Sequence, residues 1–192
     1  NDASAIGIGM VHQHFKLVEP FTVTENVVLG IEGGTIVDLK SAREKILKLS
    51  SEYGLEVNPD DKIKDLPVCT RQRVEIFKML YRDAEILIFD EPTGVLTPQE
   101  IDKLLEILEN LRKSGKTILL ITHKLEEIKR VADRCAILRQ GKLIEVVNTK
   151  DVSTSEMASL MVGHTVLFDI DKSPMKKGDV VLSVKNMSYK KK

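Results

Sequence analysis

Hydrophobic and polar positions follow two patterns along the chain. Short, unbroken apolar runs are typical of buried strands, whereas apolar residues three or four positions apart indicate amphipathic helices. The predicted strands are 6–11, 86–89, 117–121, 135–138 and 143–147, and the predicted helices are 38–53, 70–81, 98–113, 125–132 and 153–161. This alternation predicts an α/β fold with a mainly parallel sheet, interrupted by a mostly helical stretch at 22–82.

Composition limits the classes of function. The chain has 192 residues, 42% of them hydrophobic, which is enough for the core of one ordinary domain. Lys and Arg number 29 and so do Asp and Glu, so no basic excess favours nucleic acid as a partner. Cys69 and Cys135 are too few for a disulfide framework and lack the spacing of metal ligands. No apolar run approaches the roughly 20 residues that cross a bilayer.

Two adjacent carboxylates end one of the predicted strands. Asp90 and Glu91 follow the apolar run at 86–89, which places them at the carboxyl edge of the sheet, where α/β proteins bind ligands. One carboxylate can hold a hydrated Mg²⁺, and the other can orient or deprotonate an attacking water. A strand end followed by a solvated turn would give the same residues.

Two further strands end in polar residues. Thr122 and His123 follow the strand at 117–121, and Gln13 follows the strand at 6–11. An imidazole at a sheet edge can contact a terminal phosphate, and an amide can complete a metal or water shell. A lone histidine is more often structural, but three polar strand ends on one edge favour a ligand site.

Together these segments resemble the ATP-binding subunit of ABC transporters over nearly the whole chain. Residues 88–92 (Ile-Phe-Asp-Glu-Pro) match the Walker B strand and catalytic glutamate, 11–15 (Val-His-Gln-His-Phe) match the Q-loop, and 121–123 (Ile-Thr-His) match the switch histidine. The loop at 94–100 is similar to that of the first half of tandem-domain importers of sugars and nucleosides. Thr97 stands where most ABC proteins have an aspartate.

The resemblance implies a P-loop NTPase-like fold with an inserted helical subdomain, and an ATPase that couples hydrolysis of ATP to import of a small solute. Glu91 would polarise the attacking water, and His123 would contact the γ-phosphate. Asp90 and Gln13 would complete the Mg²⁺ and water shell. The implied partners are transmembrane permease subunits, a second ATP-binding domain and, indirectly, a solute-binding protein, at the cytoplasmic face of the cell membrane.

The phosphate cradle of the family, G-x-x-x-x-G-K-[ST], does not occur in these 192 residues. The tripeptide at 115–117, Gly-Lys-Thr, has Asn110 in place of the first glycine and leads into a strand, whereas a cradle must open a helix. We therefore expect a piece of a longer protein whose cradle lies upstream. By itself the piece is expected not to bind or hydrolyse ATP.

The signature sequence of the family also departs from its usual form. Most members have Leu-Ser-Gly-Gly-Gln where this chain reads Leu-Pro-Val-Cys-Thr-Arg-Gln-Arg at 66–73. The resemblance makes Cys69, Thr70 and Gln72 candidates for contact with ATP held by the partner domain. Pro67 and Cys69 weaken an anion site at a helix N-terminus, because one lacks an N–H and the other adds a side chain. The alternative is a non-hydrolytic coupling half with a degenerate ATP site.

The sequence predicts three segments. Residues 1–163 form a partial ATP-binding domain, whose helical subdomain is 22–82. Residues 164–179 are polar, contain Pro174 and Gly178, and are interpreted as a linker. Residues 180–192 are similar to the opening strand of a further ATP-binding domain, so the resemblance implies that they are the first strand of a following domain, with a C-terminal hairpin as the alternative.

Overall fold

The computed structural model of the chain describes residues 2–12, 15–31, 38–164, 178–179 and 181–188. Its helices are α1 (Asp2–Ala5), α2 (Val23–Val28), α3 (Leu39–Tyr53), α4 (Val68–Tyr81), α5 (Pro98–Lys113), α6 (Leu125–Val131) and α7 (Thr154–Val162), with a 3-10 turn at Ile63–Asp65. Its strands are β1 (Ile8–Val11), β2 (Ile86–Asp90), β3 (Thr117–Ile121), β4 (Arg134–Arg139) and β5 (Lys142–Asn148). The predicted α/β class is confirmed.

A three-stranded parallel sheet in the order β1-β2-β3 forms the centre of the fold. Val11 lies opposite Phe89, and Asp90 lies opposite Ile121, so the strands end at nearly the same level. Polar residues that follow these strands are therefore brought to one edge. The remaining strands, β4 and β5, form a separate antiparallel hairpin. Gln140 and Gly141 turn it with φ of 51° and 74°, as two-residue hairpin turns require.

The core lies against one face of the parallel sheet. Leu87 and Phe89 of β2 are fully buried, together with Phe77 of α4 and Leu111 of α5. On the opposite face, apolar side chains are exposed: Ile86, Leu119 and Ile121 are 37%, 53% and 44% accessible. Parallel sheets are normally covered on both faces. The described residues thus cover one side of this sheet and leave the other open.

Helices occupy the region predicted to be helical at 22–82. A capping box starts α2, because the Thr22 hydroxyl accepts from the backbone N–H of Glu25 while the Glu25 carboxylate accepts from that of Thr22. Asp38 caps α3, which ends at Gly54 with a left-handed φ of 68°. Both helices pack against α4, which is buried on most of its surface. The extent of this subdomain stays a prediction.

Two predicted element starts differ by two residues from the structure, and one short helix was not predicted. The first strand begins at Ile8 instead of residue 6, since Gly7 has a φ of 78° that ends the preceding turn. The helix expected from residue 70 begins at Val68, because Pro67 adopts the extended conformation of an N-cap and its carbonyl accepts from the N–H groups of residues 70 and 71. The short helix α1 was not predicted.

The strand predicted near the C-terminus is not formed in residues 181–188. Val181 and Leu182 are 98% and 78% exposed there. A strand needs a hydrogen-bonded neighbour and a covered face, and neither is provided to this segment by the described part of the chain. Residues 165–177 of the predicted linker lie outside the described residues. Within the described ranges, no helix is both long and apolar enough to cross a membrane.

Candidate functional site

The candidate site begins where β2 ends. Asp90 is the last residue of the strand and is half-buried. The next residue, Glu91, still donates its backbone N–H to the carbonyl of Ile121 at 2.9 Å, but its φ of 45° then turns the chain out of the sheet. A left-handed φ is unfavourable for a residue with a side chain and recurs at functional sites. The chain therefore leaves the sheet at Glu91, which is the carboxylate predicted from the sequence to be catalytic.

Glu91 and His123 meet at this edge. The Oε1 atom of Glu91 lies 3.3 Å from Nδ1 of His123, and the two side chains are 39% and 66% exposed. The residues come from different strand ends, 32 positions apart, and are brought together by the parallel pairing of β2 with β3. A carboxylate and an imidazole that contact each other and reach solvent can bind a water and an anionic group beside them.

The N-terminus of α4 is joined to the loop that follows Glu91. Gln72 is 2% exposed, and its Nε2 donates to the carbonyl of Pro92 at 2.8 Å. In this arrangement the Gln72 amide contacts protein, which differs from the predicted contact with ATP. A buried amide between a helix and a loop holds the two at a fixed distance. Gln72 therefore links α4, the helix that begins within the signature sequence and is called the signature helix below, to the segment that carries Glu91.

Cys69 and Thr70 lie in the first turn of α4, half-buried, with the Cys69 Sγ 3.9 Å from the Thr70 hydroxyl. Pro67, the N-cap residue, provides no side-chain hydrogen bond to this turn. The Cys69 thiol also faces Glu100, and contacts with Thr97 and then Cys69 keep the pKa of Glu100 below its usual value. The first turn of α4 thus lies beside the first turn of α5.

Gln13 lies outside the described residues, so its predicted place at the sheet edge stays a prediction. The segment that follows is held by a partly buried ion pair on α4. Glu75, 6% exposed, accepts from the backbone N–H of Lys16 at 2.7 Å, while Lys78 donates to the Lys16 carbonyl at 2.8 Å and pairs with Glu75 at 3.3 Å. Glu75 was not among the predicted site residues, because burial of one charged position on a helix is not visible in the helical periodicity of its apolar residues.

Asp90 is the described residue whose chemistry fits Mg²⁺. Mg²⁺ prefers oxygen ligands and is commonly held by one or two carboxylates together with waters and substrate phosphates. Among the described residues there is no cluster of three or more His, Cys, Asp or Glu side chains that could hold a metal. A single half-buried carboxylate at a sheet edge agrees with that shared mode of binding.

The tripeptide Gly115-Lys116-Thr117 is not a phosphate cradle. Gly115 ends the turn after α5 with a φ of 95°, Lys116 pairs with Glu85 at 2.9 Å, and Thr117 starts β3. No helix begins at this point, so the consecutive N–H groups that bind phosphate are lacking. The prediction that this match is accidental is confirmed.

Fold and site together define an α/β domain whose candidate site residues, Asp90, Glu91 and His123, lie at the carboxyl edge of a parallel sheet. The sequence model of the ABC transporter family matches residues 2–94. The chain is 55% identical over 190 residues to the nucleoside import ATP-binding protein NupA of Lactococcus lactis, with 98% of this chain and 38% of that protein covered. The chain belongs to the ABC transporter family of ATP-binding proteins.

Two further comparisons agree. The guanosine import ATP-binding protein NupO of Bacillus subtilis is 48% identical over 192 residues, covering 99% of this chain and 38% of that protein. The dimeric ATP-binding cassette MJ0796, solved in a post-hydrolysis state with ADP and Pi, matches with a TM-score of 0.61 and 26% identity over 74% of this chain and 62% of that chain. The chain thus spans less than half the length of these curated relatives.

Proposed function

We propose that the protein containing this chain hydrolyses ATP to drive import of a small solute, and that the reaction occurs at the sheet edge described above. The observation that carries the proposal is the contact of Glu91 with His123 at 3.3 Å, at the end of neighbouring parallel strands. The family and the names of the relatives support the same activity.

Each residue of the edge has a proposed role. Glu91 binds the attacking water and accepts its proton, since a carboxylate partly open to solvent can do both. His123 contacts the γ-phosphate through one ring nitrogen and Glu91 through the other, and so holds Glu91 in place. Asp90 and Gln13 would hold Mg²⁺, which neutralises charge on the phosphates when bound. The phosphate cradle is proposed to come from sequence outside these 192 residues.

The first turn of α4 is proposed to face ATP held by a second ATP-binding domain. Cys69 and Thr70 would lie nearest that nucleotide, because helix N-termini attract anions through their N–H groups. Gln72 contributes indirectly, since its amide is engaged with Pro92. A movement of α4 on closure would be transmitted to the Glu91 loop by this hydrogen bond.

The proposed partners are transmembrane permease subunits and the second ATP-binding domain, with a solute-binding protein acting indirectly, at the cytoplasmic face of the cell membrane. The relatives described above are named as importers of nucleosides, and other relatives are named for ribose and xylose. We therefore propose a nucleoside or a simple sugar as the solute, with the nucleoside favoured by the higher identities of 55% and 48%.

A non-hydrolytic coupling half is the second candidate, favoured by one observation. Pro67 leaves the N-terminus of α4 without a side-chain cap, and Cys69 adds a side chain in its first turn. Both residues lie in the part of α4 that is proposed to face ATP bound by the second domain, so they would affect hydrolysis at that second site. The Glu91–His123 contact concerns the site of this chain itself and favours hydrolysis there.

The test is Glu91→Gln in the full-length protein, with the second site silenced at its own catalytic glutamate. Glutamine keeps the size of the side chain but is a far weaker base, so turnover is expected to fall by about 10² or more while ATP binding is retained. Glu106→Gln, at an exposed position on α5, is the matched control. Equal turnover in the wild type and Glu91→Gln would contradict the proposal.

A further inference from the structure

A buried carboxylate lies close to the Glu91–His123 pair and takes no part in the reaction proposed above. Glu127, in the first turn of α6, is only 5% exposed. Its Oε2 atom accepts hydrogen bonds from the Thr93 hydroxyl at 3.0 Å and the Thr122 hydroxyl at 3.4 Å. Its Oε1 atom is buried and has no hydrogen-bond partner among the described residues. A buried carboxylate oxygen without a hydrogen bond costs free energy, so its presence in a folded protein calls for an explanation.

The two threonines place this carboxylate between the two loops of the site. Thr93 is two residues after Glu91 and is 2% exposed, and Thr122 immediately precedes His123. One oxygen of Glu127 therefore connects the loop after β2 with the loop after β3. The Glu91–His123 contact is exposed to solvent, whereas Thr93 and Glu127 beside it are buried and Thr122 is half-buried.

Lys124 supplies the opposing charge and a second connection. Its Nζ lies 3.4 Å from Oε1 of Glu127 and donates to the Thr93 carbonyl at 3.0 Å. Its backbone N–H donates to the Thr122 hydroxyl at 3.1 Å. The Thr122 hydroxyl can therefore accept from Lys124 while it donates to Glu127. A buried charge with a paired cation and two hydroxyl donors is a strongly directional anchor.

We propose that Glu127 is a positioning residue, which fixes the distance between Glu91 and His123 by joining Thr93 to Thr122. The inference rests on the proposed function of that pair. A misplacement of about 1 Å, produced far from the reacting atoms, can cost about 10²-fold in rate. Loops are less precise supports than strands and helices, so a buried anchor common to both loops maintains the geometry.

The variants separate the hydroxyl from the charge. Thr93→Val removes the donor with little change of volume, and Thr93→Ser restores a hydroxyl. Glu127→Gln keeps the shape of the side chain but removes its charge. If its NH₂ group takes the place of Oε1, this donor faces the Lys124 ammonium, which is also a donor. Glu126→Gln is the matched control, because Glu126 is in the same helical turn and exposed.

The measurements are kcat for ATP hydrolysis, the Kd for ATP and the melting temperature of the full-length protein, with the second site silenced. Thr93→Val and Glu127→Gln are expected to lower kcat about tenfold to a hundredfold, with Kd changed less than twofold. Thr93→Ser and Glu126→Gln are expected to retain wild-type kcat. A purely structural role would instead change melting temperature, binding and turnover together.

Three results would overturn the inference. One is wild-type kcat in both Thr93→Val and Glu127→Gln while Glu91→Gln is inactive, which leaves the proposed function intact. Another is loss of ATP binding in step with kcat, and a third is failure of both variants to fold, since either result makes the network structural. Failure of the proposed function is recognised separately, by full turnover in Glu91→Gln.

Discussion

Gln72 provides a stringent test of how the signature helix is attached to the site. Its side chain is 2% exposed, and its amide donates to the carbonyl of Pro92, a buried residue, at 2.8 Å. Gln72→Leu keeps approximately the same volume but removes this donor. The carbonyl would then be buried without it, which costs about 1–3 kcal/mol.

That cost can be expressed as a melting temperature. For domains of 150–250 residues, 1 kcal/mol corresponds to about 2–4 °C, so Gln72→Leu is expected to melt about 2–12 °C below the wild type. Thermal unfolding of the 192-residue chain, followed by circular dichroism, measures the difference. Gln99→Leu, at an exposed position in the first turn of α5, is the control and is expected to change little. Equal melting temperatures for the two variants would refute the assigned hydrogen bond.

Two further predictions concern the N-termini of α2 and α4. Hydrogen bonds from the backbone and hydroxyl of Thr22 keep the pKa of Glu25 below 4.5, so the ionised carboxylate stabilises the folded state above that pH and the benefit is lost as pH falls through the lowered pKa. The difference in unfolding free energy between wild type and Glu25→Gln should therefore shrink in acid, and a constant difference would contradict the capping box. Pro67→Ser with Cys69→Gly should raise the single-site ATPase rate about tenfold, the value of one charge-assisted hydrogen bond, at the site covered by α4. An unchanged rate would exclude a degenerate site.

The central strands were predictable because their signal is local. The apolar runs at 86–89 and 117–121 differ from β2 and β3 by one residue or none. The parallel direction of the strands was predicted from the α/β class, and parallel pairing of β2 with β3 places Glu91 beside His123 at one edge. The closeness of Glu91 and His123, which are 32 positions apart, could thus be predicted because each follows the end of a strand in the same parallel sheet.

Other features depend on contacts that no local pattern contains. Glu126 and Glu127 are adjacent acids in one helical turn, and only packing against the Thr93 loop determines which of them is buried. The same holds for Gln72, whose family motif suggested contact with a nucleotide although its amide is engaged with Pro92. The apolar run near the C-terminus had strand composition but no strand to pair with in the described residues.

Asp90, Glu91 and His123 are proposed to surround the terminal phosphate of ATP. A structure of the full-length Glu91→Gln protein with Mg-ATP tests this arrangement directly, since the variant should bind without turnover. In that structure the γ-phosphate is expected about 3 Å from a ring nitrogen of His123, a hydrogen-bond distance, with Asp90 among the ligands of Mg²⁺. A γ-phosphate that contacts neither His123 nor a metal held by Asp90 would show that the reaction does not occur at this edge.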